Sequence, residues 1–375
     1  VTTGDSIHAV LIPDVVHFAI PWGSPLTNTF HEGDTSMKAV IYKDTKTVEV
    51  QERAMPVCGP DDVIVRNVRA GICGTDVTGY LYGGRSVGIF PDSEFGHEMV
   101  GYVYETGKNV TCVEKGTRVF VNPMTCTRTP DPSASVRAGA FSQYIVVQDA
   151  KLEYNLFLLP DSLSFEDAVL IEPFSVGTHG KNIPQAKPED HVVIYGAGTI
   201  GLCALSGLIA QGNKKVIVLD IDDSRLEMVR RLGGRGFNPK SGDTRTFLIE
   251  QFGEMKKYYG YSAIDIDVVI DCAGAPNVPG DFLNYAKQGA KLSCVALQKK
   301  EVPINFMQVM STECKIMGSR GYTKDDILEV IHNLTSRTSH VTQIITHTFK
   351  LDDAAKAFET ASDPSLAIKV VLDLE

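Results

Sequence analysis

Val192-Val-Ile-Tyr195-Gly196-Ala-Gly198-Thr199-Ile200-Gly201 sets four apolar residues directly before three glycines spaced GxGxxG, and a helix-length apolar segment follows. A short apolar run ahead of such a turn reads as a buried strand. Gly196 permits a tight turn, Gly198 lets backbone approach a pyrophosphate, and Gly201 lets the helix pack on the strand. The helix start offers free N–H groups and the positive end of its dipole to phosphates, here with Thr199 and Ile200 in its first turn. A second strand, Lys215 to Asp220, ends in a carboxylate about 20 residues beyond Gly201, the spacing of an acid on the adenosine ribose. Asp220 favours NAD, because its charge repels a 2′-phosphate. Arg225 either contacts the ribose hydroxyls beside Asp220 or is a solvated helix residue. The alternative for the whole cluster is a tight turn without cofactor.

Around this stretch, strand and helix signals alternate. Ser224 to Leu232 reads as a helix, Asp267 to Asp271 and Ala290 to Ala296 as strands, and this rhythm predicts parallel βαβ units. Before it, from Met37 to about Val147, short strands separated by glycines predict a compact β-rich unit; Thr47 to Val50, Asp62 to Val68, Met99 to Glu105, Arg118 to Val121 and Phe141 to Val147 are the examples. After about Asp325, helices at Ile327 to Leu334 and Ala354 to Ala361 and a strand at Ala367 to Leu372 close the chain. The expected organisation is an atypical extension over 1–36, a β-rich catalytic domain from 37–186 and 325–375, and a nucleotide domain over 187–324.

The chain has 375 residues, 43% hydrophobic and 22% charged, values of a globular protein. Its 36 Lys and Arg face 46 Asp and Glu, a net charge of −10 that repels phosphate backbones and anionic lipid. No nucleic-acid or membrane partner is expected. Val192 to Gly212 carries no charge and is long enough for a bilayer, but its glycines are explained by the dinucleotide turn. No basic residue precedes an apolar run near the N-terminus, so no secretory signal is expected. The eight cysteines are scattered without paired spacing and read as reduced thiols of a cytoplasmic protein.

Within the β-rich part lie Gly71-Ile-Cys73-Gly-Thr75-Asp76 and Phe95-Gly96-His97-Glu98, and at its far end Leu170-Ile-Glu172-Pro173. A thiolate, an imidazole and a carboxylate suit a catalytic zinc, with three protein ligands and one open position. Singly, each residue has a plain structural reading; their flanks and their order ahead of a nucleotide fold carry the argument.

Those flanks resemble the medium-chain, zinc-containing alcohol dehydrogenase family. Gly96-His97-Glu98, Gly101, Gly107 and Val110 match its zinc signature, Gly116-Thr-Arg118-Val119 its following strand, and Cys73-Gly-Thr75-Asp76 its first-ligand loop. Ile171-Glu172-Pro173-Phe-Ser-Val176-Gly177 is most similar to the polyol branch of sorbitol, threonine and butanediol dehydrogenases. The resemblance runs from about Met37 to the C-terminus. It implies a GroES-like β-rich domain joined to a Rossmann doubly wound parallel sheet, and a zinc held by Cys73 and His97 with Glu98, Glu172 or both. It further implies Thr75 as proton acceptor for the substrate alcohol, Val295 to Leu297 as a floor against the nicotinamide, and a homodimer or homotetramer paired through Val302 to Met310. The expected activity is NAD-dependent oxidation of a polyol, diol, sugar or hydroxy amino acid.

The chain departs from the family twice. The interval from Val121 to Gly139 holds only Cys126, and one thiolate cannot form a four-cysteine structural site, so a single zinc is expected, with the loop Thr129 to Pro132 in place of the lobe. Thr78 stands where many relatives have a relay histidine. Pocket candidates are Tyr80, Tyr82, Arg85, Phe90, Arg320 and Tyr322. The rival readings are a metal-free quinone or enone reductase of the same fold and a non-catalytic nucleotide-binding protein.

Overall fold

The computed structural model describes residues 35–126, 135–256, 262–298 and 300–375, all within one unit, Thr35–Glu375. Residues 1–34 of the expected extension over 1–36, and the loop Thr129 to Pro132, lie outside the described residues, while Ser36 already opens the strand Ser36–Asp44.

Val192–Tyr195 is wholly buried, as a strand covered on both faces must be, and forms the middle of a six-stranded parallel sheet. The order across the sheet is Arg235–Phe237, Val216–Leu219, Val192–Tyr195, Val268–Asp271, Lys291–Cys294 and Lys315–Gly318. From the centre the chain moves first to one side and then, at Val268–Asp271, to the other. The crevice at the strands' C-terminal ends, where the order reverses, is the ligand position of such a fold. The apolar run once readable as a membrane span divides here into that strand and the helix Thr199–Gln211. Among the described residues no helix is long and apolar enough to cross a membrane.

The β-rich part holds a seven-stranded sheet. Its path is Ile345–Lys350, Lys369–Asp373, Val63–Ile72, Glu98–Thr106, Arg118–Val121 and Leu156–Leu158, with Tyr144–Val147 also paired to Val63–Ile72. A three-stranded sheet, Thr47–Ala54, Ser36–Asp44 and Ser93–Glu94, adjoins it. The last strand of the chain is thus inserted beside Val63–Ile72, in antiparallel register with Val371 opposite Gly71. Short, irregular strands made this sheet's order illegible in the sequence.

The helix Ile171–Asn182 joins the two sheets. One buried apolar cluster runs from Val68, Val100 and Phe120 through Leu170 and Phe174 to Leu202, Val218 and Val268. The helix crosses Thr199–Gln211 closely: a Cβ on Gly177 would lie 2.6 Å from the backbone nitrogen of Ala204. Its first turn carries Glu172 into the space between the sheets.

Candidate active site and metal centre

Cys73 caps the N-terminus of the helix Gly74–Tyr82 at the end of Val63–Ile72, and His97 immediately precedes the strand Glu98–Thr106. Their neighbourhood is set by Asp76, which is fully buried. One Asp76 oxygen accepts the Cys73 N–H at 3.0 Å, and the other faces His97 Nδ1 at 3.6 Å. One carboxylate therefore orients both the thiol and the imidazole. Asp76 lies within the Cys-Gly-Thr-Asp motif, and its i+3 spacing from a helix cap is the sequence signal of this orienting role.

The ligand atoms of Cys73, His97 and Glu98 all lie within 4.8 Å of one another. Two ligands each about 2.0–2.3 Å from one zinc can be at most about 4.6 Å apart, so the set needs only slight contraction to hold an ion. The polar atoms agree: Thr75 Oγ1, Asp76 Oδ1, His97 Nδ1 and Glu98 Oε1 are buried and without a hydrogen-bond partner among the described residues. Buried polar groups are ordinarily satisfied. Of these atoms, Asp76 Oδ1 and His97 Nδ1 face one another, and Glu98 stands with the ligand atoms of Cys73 and His97, a donor set that suits zinc.

Glu172 is buried close by but outside that trio. Burial and the neighbouring Glu98 charge push its carboxyl up to about 7, against the opposing pull of His97 and Lys369. The Tyr322 hydroxyl bonds to it and lies 3.4 Å from Asn122 Oδ1. Burial opposes charge on His97 too, but Asp76 and the Cys73 sulfur outweigh it and hold the imidazole well above its usual value. A divalent cation bound here would oppose the protonation of both groups.

At the dinucleotide turn the three glycines differ. Gly196 has φ +97°, and a Cβ on Gly201 would stand 1.9 Å from the Gly196 carbonyl oxygen. Gly198 would meet only the Arg225 guanidinium, at 3.5 Å, which leaves its backbone open to a ligand. Asp220 accepts the Ala197 N–H at 2.6 Å and the Asp222 N–H at 2.9 Å. Thr199 Oγ1 donates to the Ile368 carbonyl at 2.9 Å, and Arg225 to that of Pro364 at 3.3 Å. A cavity of about 310 Å³ is lined by Gly198, Thr199 and Arg225 on one side and by Ile72, Gly74 and Ile368 on the other. Ile72 and Gly74 flank Cys73, so the cavity leads from the phosphate turn towards the metal corner. Ile200 lies in the first helical turn.

Other expected positions fall elsewhere. Tyr80 is in the core, its ring tilted against Phe358 with centroids 5.4 Å apart, because it occupies the helix face that packs against the β-rich sheet. Tyr82 and Arg85 line a separate cavity with Tyr42 and Asp44. Tyr322 is largely buried, with its hydroxyl against Glu172. Val295 packs beside Gly180, whereas the Leu297 side chain is 78% exposed.

Sequence comparison places the same fold and chemistry in one family. The Alcohol dehydrogenase GroES-like domain model matches residues 59–161, and the Zinc-binding dehydrogenase model matches 199–336. L-idonate 5-dehydrogenase of Vitis vinifera is 30% identical over 363 residues, covering 91% of this chain and 96% of that protein. The sorbitol dehydrogenase of Bacillus subtilis is 29% identical, covering 88% and 95%. Among solved structures, an Escherichia coli alcohol dehydrogenase complexed with NADH superimposes with a TM-score of 0.78 at 26% identity, covering 91% of this chain and 100% of that one. The galactitol-1-phosphate dehydrogenase of E. coli gives 0.77 at 25%, covering 90% and 100%.

The chain belongs to the zinc-containing medium-chain alcohol dehydrogenases, an oxidoreductase family with a GroES-like domain and a Rossmann domain. Within it, its relatives are those of the polyol branch, and zinc and NAD are the cofactors that this membership supports.

Proposed function

We propose that the protein oxidises a secondary alcohol of a polyol, diol, sugar or hydroxy amino acid, with zinc held by Cys73, His97 and Glu98 and with NAD as hydride acceptor. The carrying observation is the cluster of Cys73, His97 and Glu98 ligand atoms within 4.8 Å of one another, with Ile72 and Gly74, the neighbours of Cys73, lining a cavity that opens on the dinucleotide turn. Of the two glutamates, Glu98 is the direct ligand in this reading, and Glu172, held by Tyr322, faces the open coordination position. The domain division at about 187 and 325 belongs to the same reading.

Zinc when bound supplies Lewis acidity towards the alcohol oxygen, and NAD accepts the hydride. The protein supplies placement. Thr75 Oγ1, buried and without a partner, accepts the proton of the substrate hydroxyl. Asp76 fixes the thiol and imidazole. Gly198 and the helix start at Thr199 receive the pyrophosphate, and Asp220 the ribose hydroxyls. Thr78 is tied to the Gly74 carbonyl at 2.9 Å, so the proton leaves from Thr75 to water without a histidine relay.

Phe306, Met307 and Met310 are 70–75% exposed on the helix Phe306–Thr312, next to the edge strand Lys315–Gly318. Such an apolar face suits a homodimer or homotetramer, and light scattering of the purified protein tests it.

The decisive experiment is an NAD⁺ reduction assay over polyols, diols, sugars and hydroxy amino acids, with zinc measured per chain. Activity lost on chelation and regained with Zn²⁺ is expected. Undiminished turnover in a Cys73→Ala, His97→Ala protein would sink the proposal.

A further inference from the structure

Lys369 is 2% exposed, one of the most buried lysines a globular protein can have. Its Nζ donates to the Ile72 carbonyl at 3.0 Å and is ion-paired with Glu98 Oε2. The pair is built across a missing side chain. Gly71 lies on the strand between them, opposite Glu98 on one flank and Val371 on the other. A Cβ at Gly71 would stand 2.0 Å from Glu98 Oε2 and 2.9 Å from Lys369 Cε. Glycine there leaves room for the two charges to meet over the middle strand.

A buried ion pair rarely adds net stability over apolar residues of the same shape, since both charges must be desolvated. Its orientation is the informative part. Lys369 engages Oε2, while Oε1 has no hydrogen-bond partner and Glu98 stands within ligand distance of Cys73 and His97. Carboxylates that bind metals are commonly held by a further group that fixes which oxygen faces the ion.

We propose that Lys369 is a positioning residue of the metal centre, holding one oxygen of Glu98 so that the other alone is presented to the zinc. This rests on the metal reading above. It adds a residue from the last strand, nearly the whole described chain away from Glu98, and a reason for glycine at 71.

The test uses the full-length metal-free protein, with zinc affinity measured by competition against a chromophoric chelator. Lys369→Met is expected to weaken zinc binding by about 10–100-fold. Gly71→Ala, which displaces the pair, should act in the same direction. Lys369→Arg keeps the charge and should restore affinity to within about tenfold of the wild type. It should also shift the ligand-field spectrum of the cobalt(II)-substituted protein, because the carboxylate is held at a new angle. NADH binding, measured in parallel, should be unchanged in all three variants, which separates a metal effect from unfolding. Zinc binding by Lys369→Met as tight as wild type, or a cobalt spectrum unchanged in Lys369→Arg, overturns the inference. A wild-type protein that takes up no zinc overturns the underlying metal reading instead.

Discussion

Two groups of potential metal ligands stand among the described residues, and they differ in charge balance more than in residue type. At the metal corner are Cys73, His97 and Glu98; at the N-terminal edge of the nucleotide sheet are His191, Asp265 and Asp267, equally within 4.8 Å of one another. The second group is already satisfied. Lys287 Nζ lies 2.6 Å from both Asp265 and Asp267, Lys215 Nζ lies 2.6 Å from His191 Nε2, and His191 Nδ1 lies 2.6 Å from the Asp265 carbonyl. At the first, Lys369 answers only part of the charge of Asp76, Glu98 and Glu172, and orphaned atoms remain. A metal site is recognised by what its residues lack.

The largest effect expected is at the first group. Cys73→Ala with His97→Ala should remove zinc and lower kcat/KM by at least about 10³-fold, the equivalent of ~4 kcal/mol of transition-state stabilisation. His191→Ala, the matching change at the second group, should leave one zinc per chain by elemental analysis. If His191→Ala also empties the protein of zinc, the contrast collapses.

Next comes the cofactor side. Asp220→Ala removes the charge that repels a 2′-phosphate and frees the Ala197 N–H. The KM for NAD should rise about tenfold, ~1.4 kcal/mol, and that for NADP should fall. Parallel steady-state measurements with both cofactors decide it.

Smaller is the loss at Asp326, whose Oδ2 caps the helix Lys324–Thr335 through Thr323 N–H at 2.7 Å and meets His179 Nδ1 at 2.8 Å. Asp326→Asn should cost about 1–2 kcal/mol in urea unfolding at pH 7. Burial raises its carboxyl, but these hydrogen bonds outweigh that and hold it below its ordinary 3.8. A depressed carboxyl stabilises above its unfolded value and loses that contribution as pH falls through the folded one. The wild-type advantage should therefore be complete at neutral pH and vanish only below about pH 4; an advantage that grows in acid contradicts the assignment.

The smallest change sharpens the opening contrast most. Lys287→Met deprives Asp265 and Asp267 of their partner at a site about a quarter exposed, with a loss of ~1 kcal/mol. It should also let a second zinc bind weakly beside His191. A calorimetric titration that still shows a single zinc site would mean that the resident lysine is not what keeps this group closed.

The four central strands of the nucleotide half were legible to within a residue or two, because buried parallel strands are continuous apolar runs and glycine spacing is a backbone requirement, whereas the edge strands Arg235–Phe237 and Lys315–Gly318 carried no such run. Val192–Tyr195 and its turn, and the carboxylate of Asp220, follow from such local rules. Cys73, Thr75, His97, Glu98 and Glu172 could be singled out by their flanks. Tyr80 packs in the core instead of lining a pocket, because an aromatic residue on a short helix has no local signal of which face is buried.

By itself, then, the sequence determined what near neighbours govern: the dinucleotide turn, the helix cap at Cys73-Gly-Thr-Asp76, and the acidic net charge of −10. The tertiary structure alone decided what depends on strands far apart in the chain. Inserting Lys369–Asp373 beside Val63–Ile72 brings Lys369 to Glu98 over Gly71, and the helix Ile171–Asn182 carries Glu172 to Tyr322. No local pattern encodes such meetings, because they arise from sheet order and register.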